Sequence, residues 1–248
     1  GLLIGAVMNN SYNERSMKII DLKKTILEDN DADADRLREE LKKKNVFYMN
    51  VMSSPGSGKT TTIVGTIERL KEHFNIGVME ADIDSDVDAL TVAKAGVSAV
   101  QLHTGGMCHL DADMSRQGMA ALEAEADNTL DFIILENVGN LVCPAEFDTG
   151  ACLNVAILSV PEGDDKPLKY PLMFEKCQAV IINKIDSMPA FDFDMDKVKA
   201  NIAMRNSEAV VFFVSARTGE GMDVWCEWLK GNVAQYLGEN QNGQCKSN

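Results

Sequence analysis

The residues with the clearest chemistry form a phosphate-binding loop. The run SSPGSGKTT, residues 53–61, has the spacing of a P-loop except that Ser53 stands where the motif has its first glycine. Backbone N–H groups around its glycines can converge on phosphate oxygens, Lys59 can reach the β and γ oxygens, and Thr60 can ligate Mg²⁺. The residues expected to bind nucleotide here are Gly56, Ser57, Gly58, Lys59, Thr60 and Thr61. The structural alternative is a glycine turn that only opens a helix.

Two later motifs indicate which base is bound. IINKID at 181–186 and VSAR at 214–217 each end an apolar run and resemble the guanine-specificity elements of GTPases. Asp186 offers two acceptor oxygens that suit the N1 and N2 donors of guanine and would repel the N1 acceptor of adenine. The other residues expected at the base are Asn183, Lys184, Ser215 and Ala216. A chance match in an ATP-binding protein is the alternative.

Two carboxylates are candidates to complete a Mg²⁺ site. Asp82 follows the run IGVMEA, and Glu136 begins ENVG, whose Gly139 amide can sense the γ-phosphate. Either acid can instead be a solvated turn residue. The predicted catalytic residues are therefore Lys59, Thr60, Asp82 and Glu136. Because no activating arginine stands out in these loops, we expect slow intrinsic hydrolysis, on the order of 10⁻⁴ to 10⁻² s⁻¹.

A second kind of metal chemistry is indicated by TGGMCHLDAD, residues 104–113, which sets Cys108 beside His109. Thiolate and imidazole suit Zn²⁺ or Ni²⁺ and not Mg²⁺, so this pair predicts a site separate from the nucleotide site. Cys143 offers a third soft ligand. An isolated cysteine is often only a small buried hydrophobe, and an isolated histidine a satisfied polar residue. His103 is either a further or supporting ligand or a surface residue.

Composition excludes some function classes. The chain has 248 residues and a formal net charge of −14, which argues against binding a nucleic-acid backbone. No apolar run approaches the roughly 20 residues that a membrane helix needs, and the first residues lack the pattern of a signal peptide. The six cysteines form no C-x-x-C pair, which favours free thiols over disulfides. We therefore expect a cytoplasmic protein with no nucleic-acid or membrane partner.

The elements that must position these motifs are predicted to be parallel strands. Apolar runs alternate with amphipathic segments after Asn45, and the runs are VFYMNVM, IGVMEA, SAVQL, DFIIL, LNVAILSV, AVIIN and AVVFFV. This alternation predicts an α/β fold, a doubly wound and mainly parallel sheet of about seven strands flanked by helices, as in P-loop NTPases. Ligands of such sheets gather at the carboxyl ends of the strands, where all these motifs fall.

Three regions are expected along the chain. Residues 1–44 form an N-terminal helical arm, because apolar residues recur there at helical spacing. Residues 45–237 form a P-loop GTPase domain that carries the metal site. Residues 238–248, rich in glycine and polar residues, are predicted to be a disordered tail.

Six segments together resemble one known family. SSPGSGKTT, ADIDSDVDA, TGGMCHLDA, ENVGNLVCP, SVPEGDDKPLKYPLMF and NKID stand in the order typical of the hydrogenase nickel-incorporation GTPases, the HypB family of the signal-recognition/partition (SIMIBI) class. The resemblance implies a Mg²⁺-dependent GTPase that binds nickel or zinc through Cys108, His109 and Cys143. It also implies nickel insertion into [NiFe]-hydrogenase, with a HypA-type protein and the hydrogenase large subunit as partners.

Three ligands from one chain leave a tetrahedral or square-planar metal short of a donor, which water, a twin subunit or a recipient protein could supply. We expect a homodimer promoted by GTP, in which two ligand sets face each other. Other functions remain open on the sequence. They are a metal-binding or storage protein whose nucleotide site does not hydrolyse, a urease-type nickel-delivery GTPase, and a P-loop small-molecule kinase.

Overall fold

A parallel β-sheet forms the centre of the molecule. The computed structural model describes residues 17–22, 29–81, 91–93 and 95–245. The strands are β1 Lys18–Asp21, β2 Phe47–Ser53, β3 Ile76–Glu80, β4 Ser98–His103, β5 Phe132–Glu136, β6 Leu153–Ser159, β7 Ala179–Asn183 and β8 Val210–Phe213. In the described part of the chain these eight strands lie in the order β1-β4-β3-β5-β2-β6-β7-β8, and every neighbouring pair is parallel. The predicted doubly wound α/β fold is confirmed.

Helices cover both faces of this sheet. Their bounds are α1 Asn30–Lys44, α2 Lys59–Leu70, α3 Ala112–Glu125, α4 Cys143–Glu146, α5 Lys166–Lys169, α6 Pro171–Lys176, α7 Met195–Arg205 and α8 Met222–Cys245. Short 3₁₀ turns span Val160–Glu162 and Ile185–Ala190. Within the described ranges, none of the helices combines the length and the apolar character needed to cross a membrane.

The strand that leads into the P-loop is the most central one. Every residue of β2 is buried, which explains its nearly continuous apolar sequence, because a parallel strand covered on both faces has no solvent side. Its neighbours are β5 and β6, so the chain winds in opposite directions on either side of β2. In such sheets the crevice outside the carboxyl ends of the strands at this reversal binds ligands.

Three apolar clusters hold the layers together. The first lies between the sheet and helices α2 and α8, where the buried Trp225 indole also donates to the Thr66 hydroxyl at 3.0 Å. The second lies under α1 and α3, and the third under α6 and α7. A buried polar side chain, Asn50 of β2, lies on the face that carries the second and third clusters, and its amide donates to Asn154 of β6 at 3.1 Å.

Part of the predicted helical arm is a strand. Lys18–Asp21 pairs with β4 in parallel register, and Leu22 continues this pairing through a bond from its N–H to the His103 carbonyl at 3.0 Å. Ile20 and Leu22 turn toward the second cluster while Ile19 is 52 % exposed, which is the two-residue period of a strand. Hydrogen bonding to the free edge of β4 makes this segment a strand. Apolar residues at helical spacing over only four residues do not outweigh that pairing.

The predicted disordered tail is also wrong over most of its length. Helix α8 continues to Cys245, and residues 246–248 lie outside the described residues. The helix is anchored by its buried first half, including Trp225, Leu229 and Val233, and a bond between Gln235 and Glu239 at 3.0 Å supports the next turn. A helix that is already nucleated can extend through a polar segment that would not form one alone.

Candidate functional site

A cavity of about 480 Å³ opens at the carboxyl ends of the central strands. Its lining comes from the P-loop, the end of β5, the turn after β7 and the turn after β8. The predicted site residues on its surface are Gly56, Gly58, Lys59, Thr60, Thr61, Glu136, Asn183, Lys184, Asp186 and Ala216. Four stretches of chain that are far apart in sequence therefore meet in one place.

The P-loop is held in a conformation that requires glycine. Gly56 has φ +76° and Gly58 has φ +85°, which side-chain-bearing residues rarely adopt. A Cβ on Gly58 would also collide with the amide of Asn183. That amide donates to the Ser57 carbonyl at 3.0 Å, so the guanine motif braces the phosphate loop directly. Helix α2 begins at Lys59, and its N-terminal N–H groups face the cavity end of the loop, where an anion is favoured.

The phosphate end of the cavity combines a buried lysine with a buried carboxylate. Lys59 is 5 % exposed, and its Nζ donates to the Asn137 carbonyl at 2.7 Å and lies 3.9 Å from Oε1 of Glu136. The Thr60 hydroxyl donates to the same Oε1 at 2.9 Å. The other oxygen of Glu136, Oε2, is buried and has no hydrogen-bond partner among the described residues. A buried carboxylate oxygen without a donor, next to a threonine hydroxyl, fits a hard cation such as Mg²⁺.

The base end of the cavity is centred on Asp186. The Ser215 hydroxyl donates to its Oδ1 at 2.8 Å, and the Arg217 guanidinium donates to its Oδ2 at 2.9 and 3.1 Å. The hydrogen bonds from Ser215 and Arg217, that from Ser215 first, hold the pKa of Asp186 below its ordinary value, which favours the ionised carboxylate as an acceptor. Ala216, also expected at the base, donates its N–H to Asn183 Oδ1 at 3.0 Å.

Residues that the sequence did not predict also contribute to this region, among them Arg217 and Glu162. Arg217 lines the base end, and its role is visible only when the fold brings it to Asp186, although its place directly after Ser-Ala was a signal. Glu162 reaches the P-loop, where it accepts a hydrogen bond from the Ser54 hydroxyl while also capping the N–H of Ser159 at 2.7 Å. Glu162 lies in the PEGDD segment, which is part of the family resemblance but gives no role to any single residue.

The predicted soft-metal ligands lie on a separate pair of loops. The thiols of Cys108 and Cys143 are in hydrogen-bonding contact, and this contact is the main cause of the raised pKa of Cys143. The His109 ring stacks on Phe147, with ring centroids 3.6 Å apart and planes 9° apart. Over the described part of the chain, no three His, Cys, Asp or Glu side chains are arranged to hold a metal ion. The structure thus joins two of the three predicted ligands and holds the third on a neighbouring ring.

Three further predicted positions have different outcomes. Asp82 lies outside the described residues, so its place in a Mg²⁺ site stays a prediction. Gly139 lies in the loop between β5 and Cys143, on the connection between the two sites. His103 is half exposed, and its Nδ1 lies 3.3 Å from the Asp21 carboxylate, so in this structure it pairs with β1 and not with the thiols.

Comparison with known proteins gives the same family from sequence and from structure. Residues 47–213 match the family described as CobW/HypB/UreG, nucleotide-binding domain. The chain is 42% identical over 236 residues to the hydrogenase/urease maturation factor HypB of Helicobacter hepaticus, covering 92% of this chain and 97% of that protein. It is 44% identical over 218 residues to the hydrogenase maturation factor HypB of Rhizobium leguminosarum, covering 88% and 72%. The crystal structure of HypB from Helicobacter pylori in complex with nickel superposes with a TM-score of 0.77 at 40% identity, covering 84% of this chain and 96% of that one.

Proposed function

This chain belongs to the CobW/HypB/UreG family and within it to the HypB hydrogenase maturation factors, and we propose on that premise that it is a GTPase that delivers nickel to [NiFe]-hydrogenase. The observation that carries the proposal is the single cavity in which the P-loop meets Asn183, Lys184 and Asp186. A phosphate cradle and a guanine-type acceptor on one ligand-sized surface favour a guanine nucleotide.

We assign the base contact to Asp186 and the support of that contact to the residues around it. Ser215 holds one carboxylate oxygen in place, and Asn183 ties the base motif to the P-loop. One guanine N–H would replace the Arg217 bonds to Oδ2, because the Arg217 side chain is 80% exposed and can move into solvent. The other would reach Oδ1, which can accept it beside the Ser215 bond. The stem of Lys184, whose Nζ donates to the Gly56 carbonyl at 2.7 Å, can lie along the ring face.

We propose that Thr60 and Glu136 hold Mg²⁺, with Asp82 as a further candidate. A bound Mg²⁺ would supply positive charge at the β and γ oxygens of the nucleotide. Lys59 would neutralise the same oxygens from the protein side. Because Lys59 and Glu136 are both buried, water screens their charges little, and their interactions with Mg²⁺ and phosphate are stronger than in bulk solvent. With Arg217 placed at the base end, turnover without a partner is expected to be slow, on the order of 10⁻⁴ to 10⁻² s⁻¹.

We propose that Cys108, His109 and Cys143 bind the nickel that is the protein's cargo, and that Zn²⁺ competes for the same ligands. Thiol contact between the two cysteines supports this set, since soft ligands at one point suit both metals. Binding requires the His109 ring to turn from its stack on Phe147 toward the thiols. A GTP-promoted homodimer would bring two such sets together, and a HypA-type protein and the hydrogenase large subunit are the proposed recipients.

A second candidate recipient is urease. The Helicobacter hepaticus relative is named for both hydrogenase and urease, and this chain covers almost all of its length. Either recipient is compatible with the same nucleotide and nickel sites in this chain.

The proposal is tested by phosphate release from GTP and ATP without an added acceptor. We expect Mg²⁺-dependent release from GTP only, and a change of this rate on stoichiometric nickel loading. Release from ATP alone would point to another NTPase, and dependence on a small-molecule acceptor to a kinase. No release under any metal load would favour a storage protein.

Replacing Asp186 with alanine should weaken GDP binding by roughly 1.5–3 kcal/mol, about 10- to 150-fold, the range for losing a charged hydrogen-bond partner. The guanine donors would then have no acceptor in the cavity. Fluorescence titration with a labelled GDP measures the change. Asp192→Ala removes an exposed acid six residues further on and is the matched control. An unchanged GDP affinity in the Asp186 variant would remove the base assignment.

A further inference from the structure

One side chain of helix α1 joins the two loops that carry the proposed nickel ligands. Asn30, the first residue of α1, donates from Nδ2 to the Asp148 carbonyl at 2.9 Å. Its Oδ1 accepts from the Ala112 N–H at 3.0 Å. Ala112 comes three residues after His109, and Asp148 comes five residues after Cys143. A single half-buried amide therefore bridges the backbones of both segments.

A second bond set attaches α1 to the Cys143 side. Arg38, two turns further along α1, donates to both oxygens of Asp148 at 2.8 and 2.7 Å and to the Ala151 carbonyl at 3.2 Å. A bidentate guanidinium–carboxylate pair has a fixed planar geometry, so it sets the direction as well as the distance of the contact. The segment after Cys143 is thus fastened to α1 at two points.

Helix α1 is itself fixed to α3, the helix that follows the Cys108 side. Arg116 of α3 donates to the buried Asp33 at 3.0 and 3.1 Å and to Glu40 at 3.1 Å. Leu37 and Leu41 are buried in the apolar cluster under α1 and α3. A helix anchored by packing and by charge acts as a rigid reference, so the position of Asn30 is set independently of the two loops.

The distance between the two segments decides whether the soft ligands can converge. Cys108 contacts Cys143, and the His109 ring stacks on Phe147, so these two contacts join the same two segments that Asn30 bridges. We propose that Asn30 is a positioning residue for the nickel site: it fixes the spacing of the Cys108–His109 and Cys143 loops. This inference rests on the proposed function, because it takes these three residues as the ligands. It gives α1 a role in metal binding.

The Asn30 brace, as we call the two bonds from Asn30 to Ala112 and Asp148, does not extend to the nucleotide cavity. Its two partners are backbone groups of Ala112 and Asp148, and neither of these residues lines the surface around the P-loop. Loss of Asn30 should therefore affect the metal and leave the guanine nucleotide alone. That difference separates a positioning role from a general loss of stability.

The test is nickel binding to the full-length, metal-free protein with Asn30→Ala and Asn30→Asp. Asn30→Ala removes both bonds and should raise the nickel Kd by roughly tenfold, the lower end of effects for groups that orient metal ligands. Asn30→Asp keeps an acceptor for Ala112 and loses the donor to Asp148, so its effect should be smaller. The intensity of the thiolate-to-nickel absorption band should fall in the same order. Asn75→Ala is the matched control, since it also removes a hydrogen bond from a side-chain amide to a backbone carbonyl, that of Thr129 at 3.0 Å, at the amino ends of β3 and β5.

Different results would contradict the positioning role of Asn30 and the assignment of the nickel ligands. Nickel Kd values of both Asn30 variants within twofold of the parent, while Cys143→Ala loses nickel, would overturn the brace and leave the ligand assignment standing. Parental nickel binding by Cys143→Ala would overturn both. A fall in GDP affinity or melting temperature beyond that of Asn75→Ala, in step with the nickel loss, would also overturn the brace, because the effect would then be one of stability.

Discussion

Replacing Lys59 with alanine should lower the rate of GTP hydrolysis by at least about a hundredfold. Removal of one preorganised donor to a developing charge typically costs roughly 10²- to 10³-fold in rate. Lys59 meets that description, because it is 5 % exposed and fixed by the Asn137 carbonyl at 2.7 Å before any nucleotide arrives. Phosphate release under saturating Mg²⁺ and GTP measures the effect.

The control for this variant lies on the same helix. Lys71→Ala removes a lysine at the opposite end of α2, where its Nζ donates to the Ala95 carbonyl at 3.1 Å, and should leave the rate unchanged. Lys59→Arg keeps a positive charge but not the fit of a compact ammonium, so it should hydrolyse at a rate between the other two. Parental turnover by a contaminant-free Lys59→Ala protein would end the P-loop mechanism.

The strands were predictable to the extent that burial shapes their sequence. All seven predicted strands are present. Five of them, β2, β3, β5, β6 and β7, are buried almost throughout, and a strand covered on both faces must be apolar along nearly its whole length. The eighth, β1, was missed because a half-exposed edge strand needs no such run, and its charged Lys18 and Asp21 look like a helix surface. Pairing with the free edge of β4 is a long-range effect that no local pattern in residues 17–22 records.

The same division applies to the candidate site. The phosphate and base motifs were placed correctly at the ends of β2 and β7, because parallel strands present their following loops at one edge. The pairing of Arg217 with Asp186, 31 residues earlier, and the reach of Asn30 to Asp148 depend on tertiary approach. His109 shows the limit most clearly, since adjacency to Cys108 suggested a common ligand set, while packing places its ring on Phe147.

The loop between the two proposed sites can transmit a shift from one to the other. It begins at Asn137, whose carbonyl holds Lys59 and whose amide donates to Asn50 at 3.0 Å. It ends at Cys143, where the Asn140 side chain accepts from the Val142 and Cys143 N–H groups at 2.7 and 3.0 Å. Because these bonds of Asn140 fix the shape of the loop, we expect the loop to move as one unit. A γ-phosphate that drew Lys59 away from Asn137 would therefore displace Cys143, the proposed nickel ligand, as in the ordering of GTPase switch loops.

Cys143→Ala should accordingly weaken nickel binding by at least about a hundredfold and remove its dependence on the nucleotide. The first effect follows from losing a thiolate ligand, which should exceed the roughly 10- to 100-fold cost of losing a group that only orients one. The second follows because Cys143 is the proposed ligand that the loop would displace, so without it the nucleotide has no ligand to move. Linkage then requires that the effect of nickel on GTP affinity is lost as well. GDP affinity should stay near the parental value, since Cys143 lies away from the nucleotide cavity.

Nickel titrations of the parent and the variant, each with GDP and with a non-hydrolysable GTP analogue, measure both effects, with dimerisation followed by light scattering. Cys152→Ala is the matched control, because Cys152 is an exposed free thiol outside the proposed ligand set, and its Sγ donates to the Tyr48 carbonyl. Typical couplings between sites are roughly 1–3 kcal/mol. If the free energy of nickel binding to the parent is the same with GDP and with the GTP analogue, within about 0.3 kcal/mol, the loop does not couple the two sites and they are independent. A difference that persists in Cys143→Ala would place the coupling elsewhere, because a displaced Cys143 would then not be its cause.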